Sequence, residues 1–207
     1  MDLLFNLTNL KSLITFVHLS GLAFGIGGAW VLDGFLVSFL VKNSRKDMTP
    51  EKYQTIEFVS KFVLVGILLL WFSELAFLAY YYLWAPESLG NEKIWAKVFI
   101  VSVLSINGYF VHSVILPKLK TCVGKAVNET LSRAELKQLT IIGSVSFTSW
   151  LFPVILGVTK TLNFTVPALH IIAFYLLSLL VAVTMANLLT CKIFSCPTQS
   201  PARSHCT

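Results

Sequence analysis

Six ionisable side chains interrupt otherwise apolar stretches of this sequence, and they are its first candidates for chemistry. They are His18, Asp33, Glu74, Lys97, His112 and His170. Imidazole, carboxyl and ammonium groups bind cofactors, relay protons or form ion pairs. In an apolar environment each of them is costly unless a partner or a cavity receives it. Ligation, proton transfer and solute binding are therefore the kinds of chemistry to expect.

Long apolar runs must position these residues. The 207 residues are 56% hydrophobic and 13% charged, whereas a soluble domain carries about 25% charge. Five runs are long enough to cross the roughly 30 Å hydrocarbon layer as helices: Leu13–Leu40, Phe58–Leu83, Ile94–Leu116, Leu139–Val158 and Val166–Leu189. We predict an all-α, polytopic transmembrane helix bundle over residues 1–190, followed by a disordered cytoplasmic tail over residues 191–207.

The distribution of Lys and Arg predicts an orientation in the lipid bilayer. Twelve of the sixteen fall in the first loop, the third loop and the tail, which share one side, and four fall on the other. The positive-inside rule then places the N-terminus outside and the C-terminus in the cytoplasm. The net charge of +6 therefore reflects topology, and no basic patch indicates a nucleic-acid partner. The sequence leaves open whether the protein is a homo-oligomer.

Two loop segments carry signals for the start of a helix. Thr49 precedes Pro50 and Glu51, which is a cap residue before a proline at the first helical position. Ser132 and Glu135 have the spacing of a capping box. Helices are therefore expected to begin before spans two and four enter the membrane.

The first span carries a histidine and several glycines, whose backbone has no side chain to keep a neighbour away. Gly21, Gly25 and Gly28 follow His18 at three, seven and ten residues, which places all four on one helical stripe. At 1.5 Å of rise per residue, His18 and His170 lie at similar depths near the outer ends of spans one and five. Two imidazoles at one depth suit bis-histidine ligation of a b-type haem, with His18 and His170 as the metal ligands and Gly21 and Gly25 leaving room for the porphyrin. The alternative is that the glycines pack against a neighbouring helix.

The other ionisable residues divide by depth. Glu74 and Lys97 share the outer leaflet with the two histidines, where Lys97 would suit a haem propionate. Glu74 lies too deep to reach the surface and should be protonated or paired with Lys97 or His18. Asp33 and His112 lie towards the cytoplasmic side, where pairing between them would make a second polar site.

Short motifs in spans one and three resemble a known superfamily. Phe16-Val-His18-Leu-Ser-Gly21, with Gly27 and Gly28, resembles the first helix of the superfamily of HemJ-type protoporphyrinogen oxidases and CopD-type copper-resistance membrane proteins. Ile94-Trp95-Ala96-Lys97-Val98 is similar to a tryptophan- and lysine-containing helix of the HemJ branch. The resemblance implies a bundle that binds haem b, with His18 as an axial ligand and Lys97 in the site. For the HemJ branch it further implies oxidation of protoporphyrinogen IX, with electrons passing to another acceptor.

Three function classes follow. The first is a haem-binding redox protein with a tetrapyrrole ligand, an electron-transfer partner, and Lys97 and Glu74 as candidate catalytic residues. The second is a small proton-coupled transporter or channel-like protein in which Glu74 and the histidines relay protons or bind a solute. The third is a non-catalytic membrane scaffold whose polar residues serve assembly.

Overall fold

The chain folds into a bundle of long helices. The structure, a computed structural model, describes residues 2–42, 48–126 and 130–194. Its helices are α1 (Asp2–Lys42), α2 (Pro50–Trp84), α3 (Glu92–Phe110), α4 (Leu116–Thr121), α5 (Arg133–Val158) and α6 (Ala168–Phe194). A π-helical turn, Val111–Ile115, joins α3 to α4, so that the two cross the bundle as one span. Five spans are long and apolar enough to cross a membrane. This confirms the predicted all-α bundle and makes the protein a multi-pass integral membrane protein.

Both predicted helix starts are confirmed. The Thr49 hydroxyl accepts a hydrogen bond from the backbone N–H of Lys52, and Pro50 occupies the first helical position of α2. At α5, the Ser132 hydroxyl accepts from the backbone N–H of Glu135, and the Glu135 carboxylate accepts from the backbone N–H of Ser132. These caps satisfy N–H groups that have no partner within the helix. The two spans therefore begin where local chemistry dictates.

The helices alternate in direction and have distinct neighbours. The most extensive helix–helix interface is between α1 and α2, and α1 also touches α5. The fifth span, α6, packs against α5 and α3. We call the side on which α1 begins the N-terminal side; it also holds the α2–α3 turn and the α5–α6 connection. The opposite side is the C-terminal side. Which of them faces the cytoplasm stays a prediction.

Each side of the bundle is tied together by hydrogen bonds. On the N-terminal side, the Lys93 ammonium donates to the Thr159 carbonyl at 2.7 Å and to the Asn163 side-chain oxygen at 3.0 Å. On the C-terminal side, the buried Met48 donates from its N–H to the Lys125 carbonyl at 3.1 Å and accepts from the Gly124 N–H at 2.8 Å. Gly124 has a φ of +78°, which glycine adopts without steric cost.

The end of α6 lies beyond the predicted domain boundary. The helix continues through Cys191 to Phe194, past the expected boundary at residue 190. The rest of the predicted disordered tail, residues 195–207, lies outside the described residues.

Candidate functional site

A polar site near the N-terminal side joins α1 to α2. The Nδ1 atom of His18 lies 3.0 Å from the Ser73 hydroxyl and 3.8 Å from Oε1 of Glu74. Ser73 is fully buried, and Glu74 is buried with 7% of its surface exposed. Glu74 therefore lies beside His18, one of the two partners expected for it, and Ser73, which the sequence did not single out, is part of the same site.

The hydrogen bonds around Ser73 assign the tautomer of His18. The Ser73 hydroxyl donates its proton to the Leu70 carbonyl at 2.9 Å. Because a hydroxyl has a single proton, the His18 Nδ1 must be the donor in the bond between His18 and Ser73. The neutral imidazole then has its lone pair on Nε2, which makes no hydrogen bond with any residue that the structure describes. Phe77 packs edge-on against the ring at 5.8 Å and limits its rotation. His18 therefore presents Nε2 as a base or a ligand atom.

Lys97 lies beside this site and is not in contact with it. Its charge interacts electrostatically with both His18 and Glu74, while the ionisable side chain that lies within 4 Å of the Glu74 carboxyl group among the described residues is His18. Lys97 lines a pocket of about 380 Å³ on the N-terminal side, together with Lys93, Lys160 and Tyr81. Tyr81 stacks on Phe77, the ring that touches His18. A positively charged pocket therefore adjoins the His18 site.

Neighbouring helices fill the space beside the glycine stripe of α1. A Cβ atom at Gly21 would lie 3.0 Å from the Cβ of Leu69 in α2, and one at Gly25 would overlap the Trp150 ring of α5. A Cβ atom at Gly28 would lie 2.7 Å from a methyl group of Val63. This is the close approach that small residues allow between membrane helices. A porphyrin on this face would require Gly21 and Gly25 to separate from α2 and Trp150.

His170 lies elsewhere in the bundle. His170 is exposed and lies at the start of α6, which packs on α5 and α3. The His18 side chain instead contacts α2, at Ser73. The first and last spans are not among the helix pairs with extensive contact in the described structure, and similar depth on two helices does not by itself bring their imidazoles together. The described part of the chain also holds no cluster of three or more His, Cys, Asp or Glu side chains with metal-binding spacing. Haem ligation by His18 and His170 stays a prediction.

A second polar site lies between the centre of the bundle and the C-terminal side. Asp33 and His112 both line one cavity of about 60 Å³, as do Asn107, Ser60 and Ser146, and the rest of its wall is mainly aliphatic. No hydrogen bond or ion pair joins Asp33 to His112 in the structure as described, so the two share a cavity without pairing. Asn107 was not predicted, although an amide within a membrane span is itself a signal of a polar site.

The fold and these two sites define a multi-pass α-helical membrane protein with ionisable groups held inside the bundle. No family model matches the chain, and no curated protein or solved structure is significantly similar to it. The resemblance to the HemJ and CopD superfamily therefore stays a prediction that rests on the motifs in spans one and three.

Proposed function

We propose that this protein conducts protons across the membrane, alone or coupled to a solute, through Glu74 and His18. One observation carries the proposal: a buried carboxyl group lies 3.8 Å from a histidine whose tautomer is held by Ser73. Ionisable groups within spans are typical of proton relays, and an imidazole can take up a proton at one ring nitrogen and release one from the other.

The proton transfer follows from the hydrogen bonds of the imidazole. Nε2 takes up a proton and the ring becomes an imidazolium. Nδ1 then gives its proton to the Glu74 carboxylate, which leaves a neutral ring protonated at Nε2 and a neutral carboxylic acid. One proton has moved from the Nε2 side of the ring to Glu74. The distance of 3.8 Å closes by a small side-chain movement or through one bridging water.

Proton flux into liposomes tests the proposal. Purified protein is reconstituted with a pH-sensitive dye inside, and a potassium gradient with valinomycin sets an inside-negative potential. We expect wild-type protein to acidify the lumen faster than protein-free liposomes, and Glu74→Gln to slow this flux at least about tenfold, because the amide cannot take the proton. The matched control is Glu57→Gln on the same helix, where the half-buried Glu57 pairs with Lys61 at 3.2 Å; the flux of this variant should equal that of the wild type.

Two results would overturn the proposal. One is wild-type flux no greater than that of protein-free liposomes. The other is unchanged flux in a Glu74→Gln protein that elutes as a single species. If His18→Ala and Glu74→Gln both prevent folding and the wild-type flux does not exceed that of protein-free liposomes, the polar residues serve assembly and the scaffold alternative is favoured.

Haem binding is retained as a second proposal for one reason. A histidine that binds a metal through Nε2 usually donates its Nδ1–H to a neighbouring acceptor, as His18 does to Ser73. His18 would be one axial ligand, and His170 stays the predicted second ligand. The test is an absorption spectrum of the dithionite-reduced protein, in which a b-type α-band should be present in the wild type and absent in His18→Ala.

A further inference from the structure

Three polar side chains of the second site share a cavity without satisfying one another. The Oδ2 atom of Asp33 is shielded from solvent and has no hydrogen-bond partner. Neither the Asn107 amide nor the His112 ring forms a hydrogen bond with another described residue. The residues that line the cavity include no Lys or Arg. Since an unpaired carboxylate inside a bundle is costly, the missing positive charge points to a ligand.

The cavity wall contains a break in regular helix geometry. The N–H of Leu116 bonds to the carbonyl of Val111, five residues earlier, which is the π-helical pattern. Pro117 follows and has no N–H, so one carbonyl of the turn lacks the donor that this position would otherwise supply. Val111, His112 and Ile115 all line the cavity. The wide turn therefore forms part of the wall of the cavity that Asp33 also lines.

The volume of the cavity limits what can bind. An apolar cavity of about 150 Å³ holds benzene, which has six heavy atoms. By proportion, about 60 Å³ holds two or three heavy atoms. Acceptor groups at one point and aliphatic walls such as Ile67 and Leu104 elsewhere suit a ligand with N–H donors and a small alkyl group. Methylammonium has two heavy atoms and ethylammonium has three.

We propose that the cavity between α1, α2, α3 and α5 binds a small primary ammonium ion, with its nitrogen on Asp33 and Asn107 and its alkyl group against the aliphatic wall. This site is separate from Glu74 and His18, and the proposal rests on the cavity alone. It holds whether or not the protein conducts protons.

Direct binding of radiolabelled methylammonium to the full-length protein in detergent tests the site. We expect saturable binding at one site per chain, displaced by unlabelled ethylammonium and unaffected by an equal concentration of sodium chloride or choline chloride. Choline is too large and its quaternary nitrogen has no N–H to donate. Asp33→Asn has nearly the same volume and should lower the bound label at least about tenfold, because the charge that neutralises the cation is gone.

A second variant keeps the charge and changes only the space. A Cβ atom at Gly143 would lie 3.8 Å from Oδ1 of Asp33, an ordinary contact, so Gly143→Ala should fold normally. It should weaken ethylammonium binding more than methylammonium binding. The matched control is Gly157→Ala in the same helix, where an added Cβ meets nothing within 4 Å; both affinities should stay at their wild-type values.

Several results would overturn the proposal. They are binding to wild-type protein no greater than to empty micelles, equal displacement by sodium, or undiminished binding in an Asp33→Asn protein with a cooperative unfolding transition. A Gly143→Ala protein that binds both amines like the wild type would equally remove the cavity as the site.

Discussion

The two polar sites of this bundle differ in how their ionisable groups are satisfied. Near the N-terminal side, His18 donates to Ser73 and lies beside Glu74, so the protein supplies the partners. Towards the C-terminal side, Asp33 and His112 line a cavity and no described residue pairs with either. A buried polar group without a partner is costly. The first site is therefore suited to moving a proton between its own groups, and the second to binding a ligand from outside.

Different backbone features produce the two arrangements. At the first site, Gly21 and Gly66 let α1 and α2 approach closely, so that the short Ser73 side chain of α2 reaches His18. At the second site, the π turn and Pro117 widen the third span beside Asp33. Close packing creates the pair in one place, and an interruption of packing creates the cavity in the other.

A side chain added at Gly66, where α1 and α2 meet, should have the largest effect on stability. A Cβ atom at Gly66 would lie 2.5 Å from the backbone nitrogen of Gly25, and backbone cannot move aside cheaply. We expect Gly66→Ala to lower the free energy of unfolding by about 1–3 kcal/mol and to reduce the Glu74-dependent proton flux. The measurement is unfolding in mixed micelles followed by tryptophan fluorescence. Gly27→Ala is the control, because nothing lies within 4 Å of its added Cβ; equal stability of the two variants would contradict the packing role.

Replacing Pro117, the proline beside the π turn, should weaken ligand binding at the second site and leave the first site unchanged. Pro117→Ala restores an N–H and allows regular α-helical geometry, which would narrow the cavity. We expect methylammonium affinity to fall about fivefold, which corresponds to roughly 1 kcal/mol, with the proton flux unchanged. Pro86→Ala, in the turn between α2 and α3, should alter neither quantity. A parallel loss of proton flux in Pro117→Ala would contradict the independence of the two sites.

Ser73 offers a smaller test of the first site. Ser73→Ala removes the acceptor that holds the Nδ1–H of His18, so the ring should populate both tautomers. The expected cost is about 1 kcal/mol of stability, as for one hydrogen bond. Nitrogen chemical shifts of ¹⁵N-labelled histidine report the tautomer directly. The Ser102 hydroxyl donates to the Val98 carbonyl of its own helix and has no bond to His18, so Ser102→Ala should leave the His18 signals unchanged. A mixed tautomer in the wild type would refute the assignment.

The spans and the caps could be predicted because their causes are local. Hydropathy over twenty residues and the cap residues Thr49 and Ser132 act within one segment. The neighbours of each helix could not be predicted, because depth along α1 and α6 does not say which helices touch. The glycine stripe fitted both a cofactor and a packed helix, and only the positions of Leu69 and Trp150 show what lies beside it.

The smallest expected effect is on the labelling rate of Cys122, which reports whether the cavity is closed on the C-terminal side. Leu119 lines the cavity and also packs in the buried cluster that contains Met48 and Cys122. Burial raises the pKa of the Cys122 thiol, so the reactive thiolate is scarcer at neutral pH than in a free cysteine. In a protein with Cys191, Cys196 and Cys206 replaced by serine, maleimide should label Cys122 slowly at pH 7. Its rate should rise at a higher pH than that of glutathione measured in parallel. Labelling as fast as that of glutathione at pH 7 would mean that this end of the bundle is open, and methylammonium would then have a route to Asp33 from the C-terminal side.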